Sequence, residues 1–310
     1  MKTKSLLFII VAGIFWGTSC LFANGLSVYG ITPIQMTAAR GMVSFICMAL
    51  FCLIARRGAF RTGLKSLLLF ICGGIALFAT ATLYYVAMQE TSVAVAVVLL
   101  YTSPVIVMAV SAFLFKERIT KLKLISIFVM LIGSVLVSGI IGDVKINLLG
   151  ALYGILSAIC YTVYNILTKL QMKNGDDPYT ATFYTFATIC VVSLAVANPV
   201  DMVSKAAANP WPVIPLLIGI GIATFVIPYF LYTASLKELS VSTASTLSII
   251  EPMTASILGM IFLEEIPTPL GIIGIILVLA SVVMISLGEK KQHEKQESAP
   301  LPDSTAEENT

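Results

Sequence analysis

Glu251 lies inside an apolar run, Val241 to Leu263 (VSTASTLSIIEPMTASILGMIFL), with Pro252 directly after it. At about 1.5 Å per helical residue this run is long enough to cross a hydrocarbon core of roughly 30 Å. An acid near the midplane costs about 2.5 to 3.5 kcal/mol on insertion scales, so Glu251 is expected to face protein, water or a ligand rather than lipid. On a helix it shares a face with Ala244, Ser248, Thr254 and Ala255, which leave room and offer hydroxyls. Two roles are open to it. As a cavity-facing acid it can bind a cationic or amine-bearing solute or take up a proton during a cycle; otherwise it is a packing carboxylate satisfied by neighbouring hydroxyls. Pro252 removes a backbone donor and opens the helix beside the acid.

Other chemistry-bearing side chains fall in similar surroundings. Arg40 sits about 9 Å below the end of a span that begins near Ile34. From there it can snorkel to the interface, line a vestibule, or pair with an acid such as Glu251. Ser157, Tyr161, Asn165 and Thr168 form a polar stripe at helical spacing, with Tyr164 beside it. Such a stripe faces substrate or hydrogen-bonds to another helix. Gly13, Trp16, Gly17 and Cys20 share a face, and Trp16 is too deep for an interfacial belt. Tyr101, Thr102 and Ser103 precede Pro104. Tyr84 and Tyr85, and Tyr229 and Tyr232 after Pro228, fall near span ends and are expected to anchor the chain at the interface. Gly13 with Gly17, and Gly150 with Gly154, have the spacing that allows close helix approach.

The elements that must position these residues are membrane helices. The chain has 58% hydrophobic and 11% charged residues and a mean hydropathy of +0.98, which excludes a water-soluble domain of this length. Ten apolar runs are predicted to span: Leu6 to Ala23, Ile34 to Ile54, Leu67 to Met88, Val93 to Phe115, Leu122 to Ile141, Leu148 to Thr168, Tyr179 to Ala197, Val213 to Leu236, Val241 to Leu263 and Leu270 to Leu287. The basic start and apolar run at the N-terminus also fit a secretory signal, including lipoprotein processing at Cys20. Gly17 stands where such a site has Leu, and nine more spans follow, so an uncleaved first helix is expected. Nearly all basic residues, from Lys2 and Lys4 through Arg56, Arg57, Arg61 and Lys65 to Lys290 and Lys291, fall on one side. Lys145 and Lys205 fall on the other, which makes both termini cytoplasmic.

The run Val93 to Phe115 aligns without a gap to Val241 to Leu263, at an offset of 148 residues. Tyr84, Glu90, Ser92, Val93, Ala96, Leu99, Pro104 and Glu117 match Tyr232, Glu238, Ser240, Val241, Ala244, Leu247, Pro252 and Glu265, and Ser103 matches Glu251. Because five is odd, a second half of five spans enters the membrane inverted. The basic loop KERITKLK after the fourth span, against EEIPTP after the ninth, agrees with that inversion. The expected units are residues 1–141, residues 148–288 and a disordered cytoplasmic tail, 289–310.

Several function classes lack their parts. There is no GxxxxGK[ST] or HExxH motif, and the single histidine, His293, lies in the tail. Gly142 and Asp143 fall in an outer loop rather than inside a span. No basic nucleic-acid surface is present, no metal site or cofactor is indicated, and the six cysteines, all within apolar spans, are expected as buried free thiols.

Taken together, Trp16-Gly17, Arg40, Pro104 with FLFKERIT after it, LIGSVLVSG, IIEP and FLEE resemble the EamA-type transporters of the drug/metabolite transporter superfamily. The resemblance implies an all-α integral membrane protein with ten transmembrane helices as two inverted five-helix repeats around a central cavity. It implies export of amino acids or other small metabolites from a cell, with the protein in the plasma membrane. The cavity helices of that family include here Trp16, Tyr101, Asn165 and Glu251, while Arg40 matches a position outside them. This chain has Ser103-Pro104 where family members carry Glu-Pro. Cavity candidates are thus Trp16, Tyr101, Ser103, Tyr161, Asn165, Ser248 and Glu251. Glu251 is the candidate for proton coupling, and Pro104, Pro228 and Pro252 are candidate hinges. A membrane-embedded enzyme acting on a lipid-linked substrate and a non-transporting scaffold are the alternatives, but no catalytic constellation or large soluble module supports them.

Overall fold

The structure is a computed structural model, and it describes residues 2–91, 93–117, 119–137, 147–263 and 268–297. The expected end of the fifth span at Ile141, the Gly142–Asp143 turn, Lys145, the acidic pair Glu264 and Glu265, and residues 298–310 lie outside the described residues.

All regular elements among the described residues are helices, without a strand. The first span is α1 (Lys2–Gly17) and α2 (Ser19–Ser27), followed by α3 (Pro33–Ala55), a 3-10 turn (Arg57–Phe60) and α4 (Leu64–Glu90). Next come α5 (Val93–Leu100) and α6 (Ser103–Phe115), α7 (Lys121–Val137), α8 (Leu148–Lys173) and α9 (Pro178–Val196). The last third holds α10 (Pro199–Ala208), α11 (Pro210–Gly221), a π-helical stretch (Ile222–Val226), α12 (Ile227–Ser235), α13 (Val241–Leu247), α14 (Ile250–Phe262) and α15 (Pro269–Glu297). Among the described residues, eight helical stretches are long and apolar enough to cross a membrane. α7 and the apolar part of α15, Pro269–Ile285, are shorter.

Local chemistry sets the ends. Thr32 caps α3 reciprocally with Gln35, each side chain taking the other's backbone N–H, and Pro33 occupies the first turn. Gly30, at φ 70°, supplies the left-handed residue that the preceding turn needs. Pro228 cannot donate to the helix and crowds the carbonyl a turn earlier, and the chain absorbs this by widening into the π-helical stretch before it.

Two expectations are corrected here. The tail does not leave the helix at Leu287, because α15 continues to Glu297. EKKQHEKQE contains only residues that tolerate or favour helix and no glycine or proline, so polarity alone was the wrong guide. Cys72 is exposed on the outer face of α4 rather than buried, whereas Cys52 and Cys190 are buried. α10 was not anticipated. Its start signals were present, with Asn198 as cap, Pro199 in the first turn and Asp201 following, but a ten-residue helix falls below a spanning-length search.

α4 packs along α8, α3 along α9, and α7 along α15, while α1 lies between α12 and α14. Polar contacts between loops and helix ends sort into two sets. At one end, Gln35 Nε2 donates to Asp201 Oδ2 (2.7 Å) and Asn147 Nδ2 to Glu90 Oε2 (2.9 Å). At the other, Ser5 Oγ donates to Glu238 Oε2 (2.7 Å), Ser66 Oγ to Asp176 Oδ1 (2.8 Å), and the Tyr184 hydroxyl to the Phe60 carbonyl (3.0 Å).

Candidate functional site

The ninth span is interrupted where its acid sits. α13 ends at Leu247, a turn covers Ser248 and Ile249, and α14 begins with Ile250, Glu251 and Pro252. Pro252 needs no backbone donor in the first turn, so the break leaves Glu251 at a helix start, where a negative side chain meets unpaired N–H groups. α1 presses against this point. A Cβ on Gly17 would stand 2.5 Å from Thr254 Cβ and 2.9 Å from the Glu251 carbonyl, and one on Gly13 would meet Ile250 Cβ at 3.0 Å. The glycine pair in the first span therefore brings α1 close enough to support the helix that carries the acid.

Glu251 faces a half-open cavity of about 740 Å³. Arg40 from α3, Tyr84 from α4 and Tyr101 at the break between α5 and α6 share it, and its lining runs to Ser27, Ile31 and Met88 at the helix ends. Among the described residues, Arg40 and Glu251 form no ion pair within 4.0 Å, although each lies in the other's field. The Arg40 guanidinium carbon stands 5.7 Å from the centre of the Phe225 ring, and its Nε is buried without a hydrogen-bond partner.

The other candidates form a second, closed cluster. Trp16 is 6% exposed and packs edge-on to Tyr229 (centroids 5.1 Å) and against Tyr232 (5.8 Å). Tyr164 meets both tyrosines and stacks on Tyr161. The Tyr232 hydroxyl donates to Asn165 Oδ1, Asn165 Nδ2 donates to the Tyr161 carbonyl (2.8 Å), and the Tyr161 and Ser248 side chains interact. The cavity lining thus includes Tyr101, Glu251, Pro252 and Arg40. Trp16, Tyr161, Asn165 and Ser248 belong instead to the aromatic cluster, linked to the cavity through the Ser248–Glu251 turn. Ser103 is buried at the start of α6 and Pro104 follows it in the first turn. Tyr229 and Tyr232 are not interfacial anchors, because α12 turns them inward against α1 and α8. Tyr84 is also a cavity residue rather than an anchor.

A tight polar closure occupies the end away from Ser27 and Met88. Glu117 Oε1 accepts from the Val241 N–H (3.0 Å), and Oε2 accepts from Ser242 Oγ (2.9 Å) and Ser111 Oγ (3.0 Å). Lys116 adopts the left-handed conformation (φ 54°), which turns the chain so that Glu117 reaches back to α13. Lys169 Nζ donates to the carbonyls of Leu236 (2.7 Å) and Leu239 (2.6 Å), and Lys123 Nζ donates to Ser240 Oγ (2.9 Å). In the sequence Glu117 figured only as the repeat match of Glu265; the fold shows that it caps a helix from the other half.

The model of the EamA-like transporter family matches the chain twice, over residues 3–139 and 148–287. The chain belongs to this family. EamA-like relatives include the uncharacterized transporter YwfM of Bacillus subtilis, 26% identical over 92% of this chain and 95% of its own length. The threonine/homoserine exporter RhtA of Escherichia coli K12 is 26% identical over 72% of each chain. A solved crystal structure shares the fold at a TM-score of 0.76, with 17% identity, covering 94% of this chain and 99% of that one. The protein is a multi-pass membrane transporter of the drug/metabolite transporter superfamily, with a small molecule as its cargo.

Proposed function

We propose that this transporter is a secondary or facilitative exporter of a small polar or amphipathic metabolite, an amino acid or a related compound, working by alternating access. The cavity between α3, α4 and α14, lined by an arginine and an acid inside a membrane bundle, carries the reading. The name of RhtA supports the substrate class. Ten spans act as two inverted repeats, 1–141 and 148–288, with both termini on the cytoplasmic side of the plasma membrane. The gapless match between the halves, the double family match and the gathering of Arg56, Arg57, Arg61, Lys116, Lys169 and Lys237 at one end support this arrangement.

In this reading the cavity is open to the outside and the Glu117 closure seals the cytoplasmic end. Movement at the breaks beside Pro104 and Pro252, and at the π-helical stretch before Pro228, exchanges the two closures. Glu251 is the group that takes up a proton if transport is coupled. Counterflow of a metabolite panel into proteoliposomes tests the function: exchange of at least one amino acid or close relative is expected, and no exchange with any solute refutes it.

A further inference from the structure

We infer that Arg40 is the anion-binding pole of the cavity and Glu251 its cation-binding pole, so that the cargo is a net-neutral ampholyte whose carboxylate meets Arg40 and whose ammonium meets Glu251. This rests on the transport reading above and adds the charge pattern of the cargo.

The two side chains arrive from different helices, α3 and α14, and open onto one cavity. Neither the guanidinium nor the carboxylate has a hydrogen-bond partner among the described residues, and they do not pair directly. Arg40 rests near the face of Phe225, which holds the group while leaving its in-plane donors free. A guanidinium has five donors and a carboxylate about four acceptor sites. Leaving both unused in a membrane interior is costly, and a molecule that carries both signs satisfies both at once. A pure amine would leave Arg40 unpaired and be repelled by it, and a pure acid would fail in the same way at Glu251. A carboxylate also fits the planar fork of arginine in a two-bond geometry that an ammonium donor cannot copy. On the wall of the same cavity, the Tyr84 and Tyr101 rings and Phe78 give the cargo's side chain a surface that is apolar with a polar edge.

The test is counterflow in proteoliposomes with the twenty proteinogenic amino acids, each beside its decarboxylated amine and its deaminated acid. The wild-type protein is expected to exchange at least one amino acid tenfold or more faster than either relative. Arg40→Gln should raise KM for that amino acid at least tenfold and abolish the preference over the amine. Arg40→Lys should keep the preference and raise KM less, with Vmax little changed, a pattern that a purely structural arginine would not give. Should Arg40→Gln fail to fold, the wild-type ranking and Arg40→Lys still decide. Wild-type exchange of amines as fast as amino acids, or an unchanged ranking in Arg40→Gln, overturns the inference while leaving transport intact. Absence of exchange with any solute overturns the transport reading itself.

Discussion

Val95–Phe115 and Val241–Phe262 carry the same interruption, a turn of two residues just ahead of a proline, but they are embedded differently. In the apolar window of the second, 56% of residues are buried, against 28% in the first, so the second lies at the centre of the bundle. The centre is where an ionisable group can be kept from lipid, and there the chain places Glu251. At the matching position of the outer helix it places the neutral Ser103. Two similar sequences thus become a backbone device shared by both halves and a chemical device held by one. The supports differ as well: a Cβ at Gly17 of α1 would meet both the Thr254 side chain and the Glu251 carbonyl of α14, whereas the three nearest atoms to one at Gly154 of α8 belong to the Leu99 side chain of α5.

The largest effect is expected from removing the chemical difference. If transport is proton-coupled, Glu251→Gln should abolish its dependence on a pH gradient in proteoliposomes while leaving the melting temperature in detergent nearly unchanged, because the carboxylate has no hydrogen-bond partner to lose. Ser103→Ala should keep the rate within a few-fold. Equal losses in the two variants would erase the distinction between the spans.

Next come the supports. Gly17→Ala forces a Cβ against Thr254 and the Glu251 carbonyl, and overpacking of this kind costs about 1–3 kcal/mol. It should lower both the melting temperature and the transport rate. Gly154→Ala meets Leu99 Cδ1 at 2.6 Å, which can swing away, and Leu99 Cβ at 2.9 Å, which moves only with the main chain; it should also lower the melting temperature, but with less effect on transport, because Leu99 is not part of the cavity wall.

A smaller effect is expected at the closure. Glu117→Ala removes a cap on α13, worth about 1 kcal/mol, which is a roughly fivefold change in the balance between closed and open. A cysteine at Leu239, buried in this state, should then label about fivefold faster with an impermeant reagent from the side bearing Arg57. Glu90→Ala, at the exposed contact with Asn147, should change labelling little at either end.

The smallest concerns Asp201. Hydrogen bonds from Lys205 and then Gln35 hold its carboxyl below the ordinary carboxylate range. Because the folded value is depressed, the tether is complete above the ordinary value of about 3.9 and is lost as pH falls through the lowered one. Melting temperature should therefore show a shallow fall below about pH 4 that Asp201→Asn removes, with no difference between the two proteins at pH 7.

Much of this was legible in the residues. Hydropathy and length matched eight of the ten expected spans to helices long enough to cross, and the cost of burying Glu251 pointed to a cavity before any fold was known. The match of Ser103 to Glu251 already marked the asymmetry. What failed were judgements of depth and direction. Tyr229 and Tyr232 fall near the end of an apolar run, where rings commonly anchor, but the π-helical widening before Pro228 and the packing of α12 on α1 turn them inward. Trp16 and Asn165 were grouped with Glu251 by the family resemblance and Tyr161 by its place in a polar stripe, yet which side chains share the cavity and which close beneath it depends on contacts between helices far apart in sequence. Tyr84 and Arg40 were each noted, and only the fold places both beside Glu251.

The central claim is that the break at Glu251 lines a route reached from one side of the membrane while Glu117 closes the other. Cysteine labelling at Ala255, one turn past Glu251 and on the cavity wall, tests it in a cysteine-free background with an impermeant thiol reagent. Labelling from the side bearing Ser27 and Met88, slowed by the transported solute, is the predicted result. Labelling only from the side bearing Arg57 and Lys116, or labelling that no transported solute slows, would contradict it.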